Sequence, residues 1–155
     1  MRLRLSQFFK LFLLVGQKPL LIMPTINATK ETMILCDSLF GKSHHKSNKA
    51  NASRHAIWNY LLCQKSFKII KNSQKSAIWA QKVANLYEKV TNNDVLDEFM
   101  DLHNNQIGRN VFLEQKGLEL DTLGAFFHKM SQNAVKISSI HDFRENEIEM
   151  IYIED

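Results

Sequence analysis

A chain of 155 residues, 45% hydrophobic and 23% charged, has the size and composition of one globular domain able to bury its own core. Ten Phe and two Trp exclude an intrinsically disordered chain. The net charge of +4 is unevenly spread: residues 1–76 hold 13 Lys/Arg against 2 Asp/Glu, whereas residues 77–155 hold 7 against 14. The basic residues stand singly and form no run, so the two halves are expected to pack together and largely neutralise. An anionic ligand or a membrane surface is the partner class that the basic half suggests, and no sequence-specific nucleic-acid motif is present.

Residues 1–15 begin with positive charge and continue with an apolar stretch, as a secretion signal does. Lys10 interrupts the stretch, and no small-residue cleavage site follows before Lys18-Pro19. The uninterrupted run at 11–15 is far short of the ~20 residues of a membrane span. Residues 1–18 therefore read as an amphipathic helix that packs on the domain or lies on a membrane surface. The location expected is cytoplasmic, membrane-peripheral in the second case, and not secreted.

Helical signals then recur. Pro24-Thr25 opens a second helix to Phe40, with Gly41 as its stop and Ile26, Met33, Ile34 and Leu35 as its apolar positions. Residues 41–48, with His44, His45 and three nearby lysines, read as a solvated polar loop. A third helix covers 49–70, with Ile57, Tyr60, Leu61 and Cys63 in its stripe. Asn72-Ser73 caps a fourth helix carrying Ile78, Trp79, Val83, Leu86 and Tyr87. Residues 92–94 break the chain before a fifth helix to about Gln115, and a sixth covers about 121–131. Residues 147–153 alternate like a strand. The expectation is an all-α fold: one bundle of five to six helices with an extended or weakly strand-like tail. Its segments are 1–18, the helical domain 19–133 and an acidic tail 134–155. Cys36 and Cys63 share no metal or redox spacing and read as small buried hydrophobes.

Two polar motifs interrupt this apolar pattern. In the third helix Asn51, His55 and Asn59 are four apart and line one face, with Arg54 flanking and small Ala52 and Ala56 beside them. In the fifth, Asp101, Asn105 and Arg109 repeat the spacing, and Asn104 and Gly108 form a second row. Two readings fit. The stripes face each other as a buried hydrogen-bonded seam. Alternatively they line a hydrolase-like or effector-like cleft between the third and fifth helices. There His55 is the base, Asp101 orients it, and Glu88 and His103 complete the group. Arg54 and Arg109, with Asn51, Asn59, Asn104 and Asn105, would bind an anionic substrate. No phosphate loop, serine elbow or HExxH zinc motif occurs, and no cofactor is assigned.

The segment 48–59 followed by 100–109 resembles an uncharacterised bacterial family pairing N-A-x-R-H-A-x-W with D-x-H-N-N-x-x-G-R. It occurs in stand-alone proteins, notably of Bacteroidetes, and as a C-terminal module of toxin-like secreted proteins. The resemblance spans about residues 40–109 and implies no established activity. Family members often carry an acidic-Ala-His-Glu segment between the motifs. Glu88 matches it, but Tyr87 stands where a histidine is common and Asn85 where an acid is common. If that histidine binds metal in the family, the ligand is missing here, so no metal site is assigned.

Overall fold

A computed structural model of the chain describes Gly16 and residues 18–91, 94–143 and 148–154. The helix expected over residues 1–18 lies almost wholly outside the described residues. A 3₁₀ turn (Pro19–Leu21) leads into α1 (Ile22–Phe40), and a second (Ser43–His45) precedes α2 (Lys49–Ile70). Then follow α3 (Ser73–Thr91), α4 (Val95–Glu114) and α5 (Leu120–Gln132). The expected third and fifth helices are thus α2 and α4. No helix among the described residues is long and apolar enough to cross a membrane.

The helix starts are set by short polar side chains. Asn48 accepts from the Ala50 and Asn51 amides, Asn72 from Lys75 and Asp94 from Leu96, each filling donors that the first turn leaves unpaired. Gly41 ends α1 at φ +57°, a conformation that disfavours a Cβ.

The bundle is organised around α2, against which α1, α3, α4 and α5 all pack. From Asn51 to Cys63 every α2 residue is buried except Arg54. The stripe expected from Ile57, Tyr60, Leu61 and Cys63 is inside, as are Cys36 and Cys63 as free thiols.

On α1 the buried face differs from the expected one. Ile26 and Ile34 are exposed, while Thr25, Ala28, Thr32, Leu35 and Cys36 are buried. The two threonines tolerate burial because each hydroxyl donates to the carbonyl four residues back (Thr25 to Leu21, Thr32 to Ala28, both 2.8 Å). Thr25 and Thr29 also accept the indole N–H groups of Trp79 and Trp58. Ile78 of α3, likewise read as apolar face, is 51% exposed.

The tail folds back onto the bundle. β1 (Val135–Lys136) and β2 (Ile151–Tyr152) pair in parallel, with Val135 opposite Ile151. Only the second strand was expected. The Asn104 side chain of α4 clamps Ile151, donating to its carbonyl (2.9 Å) and accepting from its amide (3.1 Å). Met100, Ile137 and Ile151 form a small second core beneath.

Candidate functional site

Where α2 crosses α4, Gly108 lies so close to Ala56 that a Cβ built on it would stand 2.1 Å from the Ala56 carbonyl oxygen. The small residues on both helices bring the two polar stripes face to face. The stripes then divide into a deep part and a part that borders a cavity.

The deep part is a relay whose polarity can be read from one end. Arg109 is buried and a guanidinium only donates, so the oxygen of Asn59 faces it (2.9 Å). The Asn59 amide nitrogen then donates to Asn105 Oδ1. That oxygen is an acceptor, so Nδ1 of His55, 3.3 Å away, carries the proton. The remaining nitrogen, Nε2, therefore presents a lone pair. Arg54, another obligate donor, bonds to it at 2.8 Å and also donates to Asn51 Oδ1 at 3.0 Å.

Asp101 Oδ1 lies 3.2 Å from the same Nε2. With Asp101 ionised both atoms are electron-pair donors, and Asp101 Oδ1 then has no hydrogen-bond partner although the residue is only 4% exposed. Glu88 of α3 stands behind, its Oε1 3.8 Å from His55 Nδ1 and 3.5 Å from the Asn105 amide that donates to it. One donor atom each from His55, Glu88 and Asp101 lie within 4.8 Å of one another. Burial first, and the Arg54 charge second, hold the His55 imidazole well below its usual range. Burial likewise pushes the Glu88 carboxyl up to about 7 and that of Asp101 up to about 8, the neighbouring Glu88 charge adding to the latter.

A sign follows for stability as a function of pH. Groups raised in the folded state stabilise at low pH, and that contribution is lost as pH rises through their folded values. His55 acts oppositely, but only below about pH 6.5, where the unfolded imidazole takes up its proton. Between pH 7 and 9 the denaturation midpoint should fall for the native chain and fall less for Glu88→Gln. Equal slopes would remove the buried carboxyl pair as the cause.

Above this group opens a cavity of about 710 Å³. Thr29, Thr32 and Met33 of α1 form one wall, and Asn51, Arg54, His55 and Trp58 of α2 form the floor. Tyr87, Asp97 and Asp101 close it from α3 and α4, with His45 and Ser47 at the loop. Trp58 and Tyr87 meet edge to face at 5.2 Å.

With this geometry in view, the comparisons are brief. A family model described as a domain of unknown function, DUF6973, matches residues 12–138. The chain belongs to the DUF6973 family. No curated protein and no solved structure matches it.

In this DUF6973 domain the expected site residues separate into three groups. Asn51, Arg54, His55 and Asp101 border the cavity, with Glu88 behind them. Asn59, Asn105 and Arg109 form the buried relay. His103 and Asn104 turn to the tail: His103 Nε2 bonds the Glu149 carbonyl at 2.8 Å and its ring packs on Phe143. His103 is therefore not brought into the group with His55, and Asn104 and Arg109 do not line the cavity. The reason is angular. Neighbouring residues on a helix point about 100° apart, so His103 and Asp101 look different ways.

Sequence reasoning missed the α1 wall. In the sequence Met33 reads as an apolar core position, and Thr29 and Thr32 are residues that an apolar search passes over. The loop read as solvated also differs: His44 is fully buried and pairs with Asp37 at 3.0 Å. Cys36 and Cys63 are no nucleophiles, because burial pushes both thiols up to about 12.

Proposed function

We propose that this domain is a hydrolase-like enzyme whose reaction centre is the group of His55, Asp101 and Glu88 at the cavity floor. The observation that carries the reading is the His55 Nε2 lone pair, oriented by a buried relay and held 3.2 Å from an unpartnered carboxylate oxygen at a cavity. An orphaned buried polar atom costs about 1–3 kcal/mol, and of the two among the described residues, His44 Nδ1 and Asp101 Oδ1, only Asp101 belongs to the cavity lining. Such a cost is tolerated where a site needs the electron pair.

Once an anionic substrate draws Arg54 off His55 Nε2, a water in the cavity meets that lone pair and Asp101 Oδ1 together; Asp101 takes its proton as the oxygen attacks an ester carbon or phosphorus, and returns it to the departing alkoxide. Arg54 is the cation at the same nitrogen, and it is the residue positioned to hold an anionic substrate. Trp58 and Tyr87 offer an apolar wall to the rest of that substrate. A bacterial, toxin-like setting, as the paired motifs imply, suits a small hydrolytic effector acting in a cytoplasm.

Asp101→Asn tests this against the scaffold alternative. The substitution is nearly isosteric and replaces an orphaned acceptor, so the melting midpoint should be unchanged or slightly raised. Hydrolysis of chromogenic carboxylic and phosphoric esters by the native chain should fall at least ~100-fold in the variant. A loss of several kcal/mol of stability would instead mark Asp101 as a structural member, and the catalytic reading would fail.

A further inference from the structure

We infer that His55, Glu88 and Asp101 form a binding site for a divalent transition-metal ion of the zinc class. The inference rests on the same cavity floor as the reading above and names what occupies it. The sequence assigned no metal because Tyr87 stands where the resembled family commonly has a histidine; the three residues named here come from other positions, on three helices.

Three observations converge. Zinc bonds imidazole nitrogen and carboxylate oxygen at about 2.0–2.2 Å, so in a tetrahedral site two of its ligand atoms stand about 3.4 Å apart. One donor from each residue already lies within 4.8 Å of the others, with Asp101 Oδ1 3.2 Å from His55 Nε2, and closing the set asks Glu88 to turn from the Nδ1 side by roughly 1 Å or more. The imidazole is prepared for the role: Nδ1–H donates to Asn105 Oδ1, which is how a ligating histidine is usually oriented from its far side. Finally, Asp101 Oδ1 is buried, unpartnered and faces the Nε2 lone pair. Two electron-rich atoms in that relation are both satisfied by one cation between them.

The donor set also decides the type of site. One nitrogen and two carboxylates suit zinc or manganese better than calcium, which takes six to eight oxygens. Three protein ligands leave a coordination position open, the arrangement of a catalytic rather than a structural ion. The open side is the cavity, and the water bound there would be the nucleophile.

Arg54 supplies the distinctive prediction. Its guanidinium holds the lone pair that the ion needs, so the two compete. Arg54 is half-buried at the cavity wall, and on displacement it stays beside the ion, where it meets an anionic substrate.

The test uses the full chain stripped with EDTA and titrated with ZnCl₂ by calorimetry, with Co²⁺ absorption reporting coordination. One ion per chain is expected, and Asp101→Asn and Glu88→Gln should each weaken binding at least ~10-fold. Arg54→Ala should tighten it, because the competing cation is gone. Melting curves check each variant, and the Arg54→Ala result stands even if a ligand variant does not fold. Absence of saturable binding by the native chain would overturn the site. So would binding that survives Asp101→Asn but is lost in His45→Ala, which would place the ion at the Asp37, His44 and His45 loop cluster. Stoichiometric binding without ester turnover would defeat the enzymatic reading alone, and turnover insensitive to chelator would defeat the metal alone.

Discussion

Gly108→Ala is expected to destabilise the domain by about 3 kcal/mol, although the same change in an open helix stabilises by about 0.5–1 kcal/mol. The reversal comes from what the new methyl meets. Its nearest neighbours would be Ala56 O at 2.1 Å, Ala56 C at 2.8 Å and Ala56 Cα at 2.9 Å, all backbone of the facing helix. A side chain can rotate away, but a helix backbone moves only as a body, so α2 and α4 would have to part by roughly 1 Å. The interactions of His55 with Asp101 and of Asn59 with Asn105 cross this interface, so the site would loosen with the fold. Urea denaturation decides the matter, and a midpoint at or above the native value would show that the helices do not pack as closely as this. Lost zinc binding in a folded variant would further tie the site to the crossing.

Asn59→Leu is expected to cost about 3–5 kcal/mol, despite the similar volume of the two side chains. Arg109 is 8% exposed, and Asn59 Oδ1 accepts from its Nη1. Leucine removes that acceptor and also the donor to Asn105 Oδ1. A buried cation and a buried amide oxygen are then left short together. Asn59→Asp separates the two losses: it restores an acceptor for Arg109 but not the donor, so its stability should lie above that of Asn59→Leu. The relay makes a second, spectroscopic claim. Nitrogen NMR of His55 should show the Nδ1–H form in the native chain and loss of that preference in Asn59→Asp. A native Nε2–H form would refute the relay, and a near-neutral Asn59→Leu would show that Arg109 has other adequate partners.

The pairing of these two residues shows where sequence reasoning reaches. The rows Asn51/His55/Asn59 and Asp101/Asn105/Arg109 were legible because four-residue spacing is a property of any α-helix. That Ala52 and Ala56 permit close approach was legible for the same reason, whereas Gly108 was read only as part of a second row and its contact with Ala56 came from the structure. Whether the rows formed a lock or bordered a cleft was not, and both descriptions hold over different lengths of one seam. Asn59, Asn105 and Arg109 are sealed beneath the crossing, whereas His55 and Asp101 reach a cavity whose far wall is α1. His103 sits two residues from Asp101 and is bonded to the tail.

By itself the sequence determined the helices, their polar caps and breaks, the two stripes, and the buried, inert character of the cysteines. These depend on local rules: a capping oxygen, a positive φ, a repeat of 3.6 residues. Only the tertiary structure decided that α2 is the central helix, that threonines rather than isoleucines face inward on α1, and which motif residues meet. Those outcomes are set by contacts between residues 29 to 54 apart, such as Trp58 with Thr29, Trp79 with Thr25 and Asn59 with Asn105. No spacing rule within one helix specifies the angle at which a second helix crosses it.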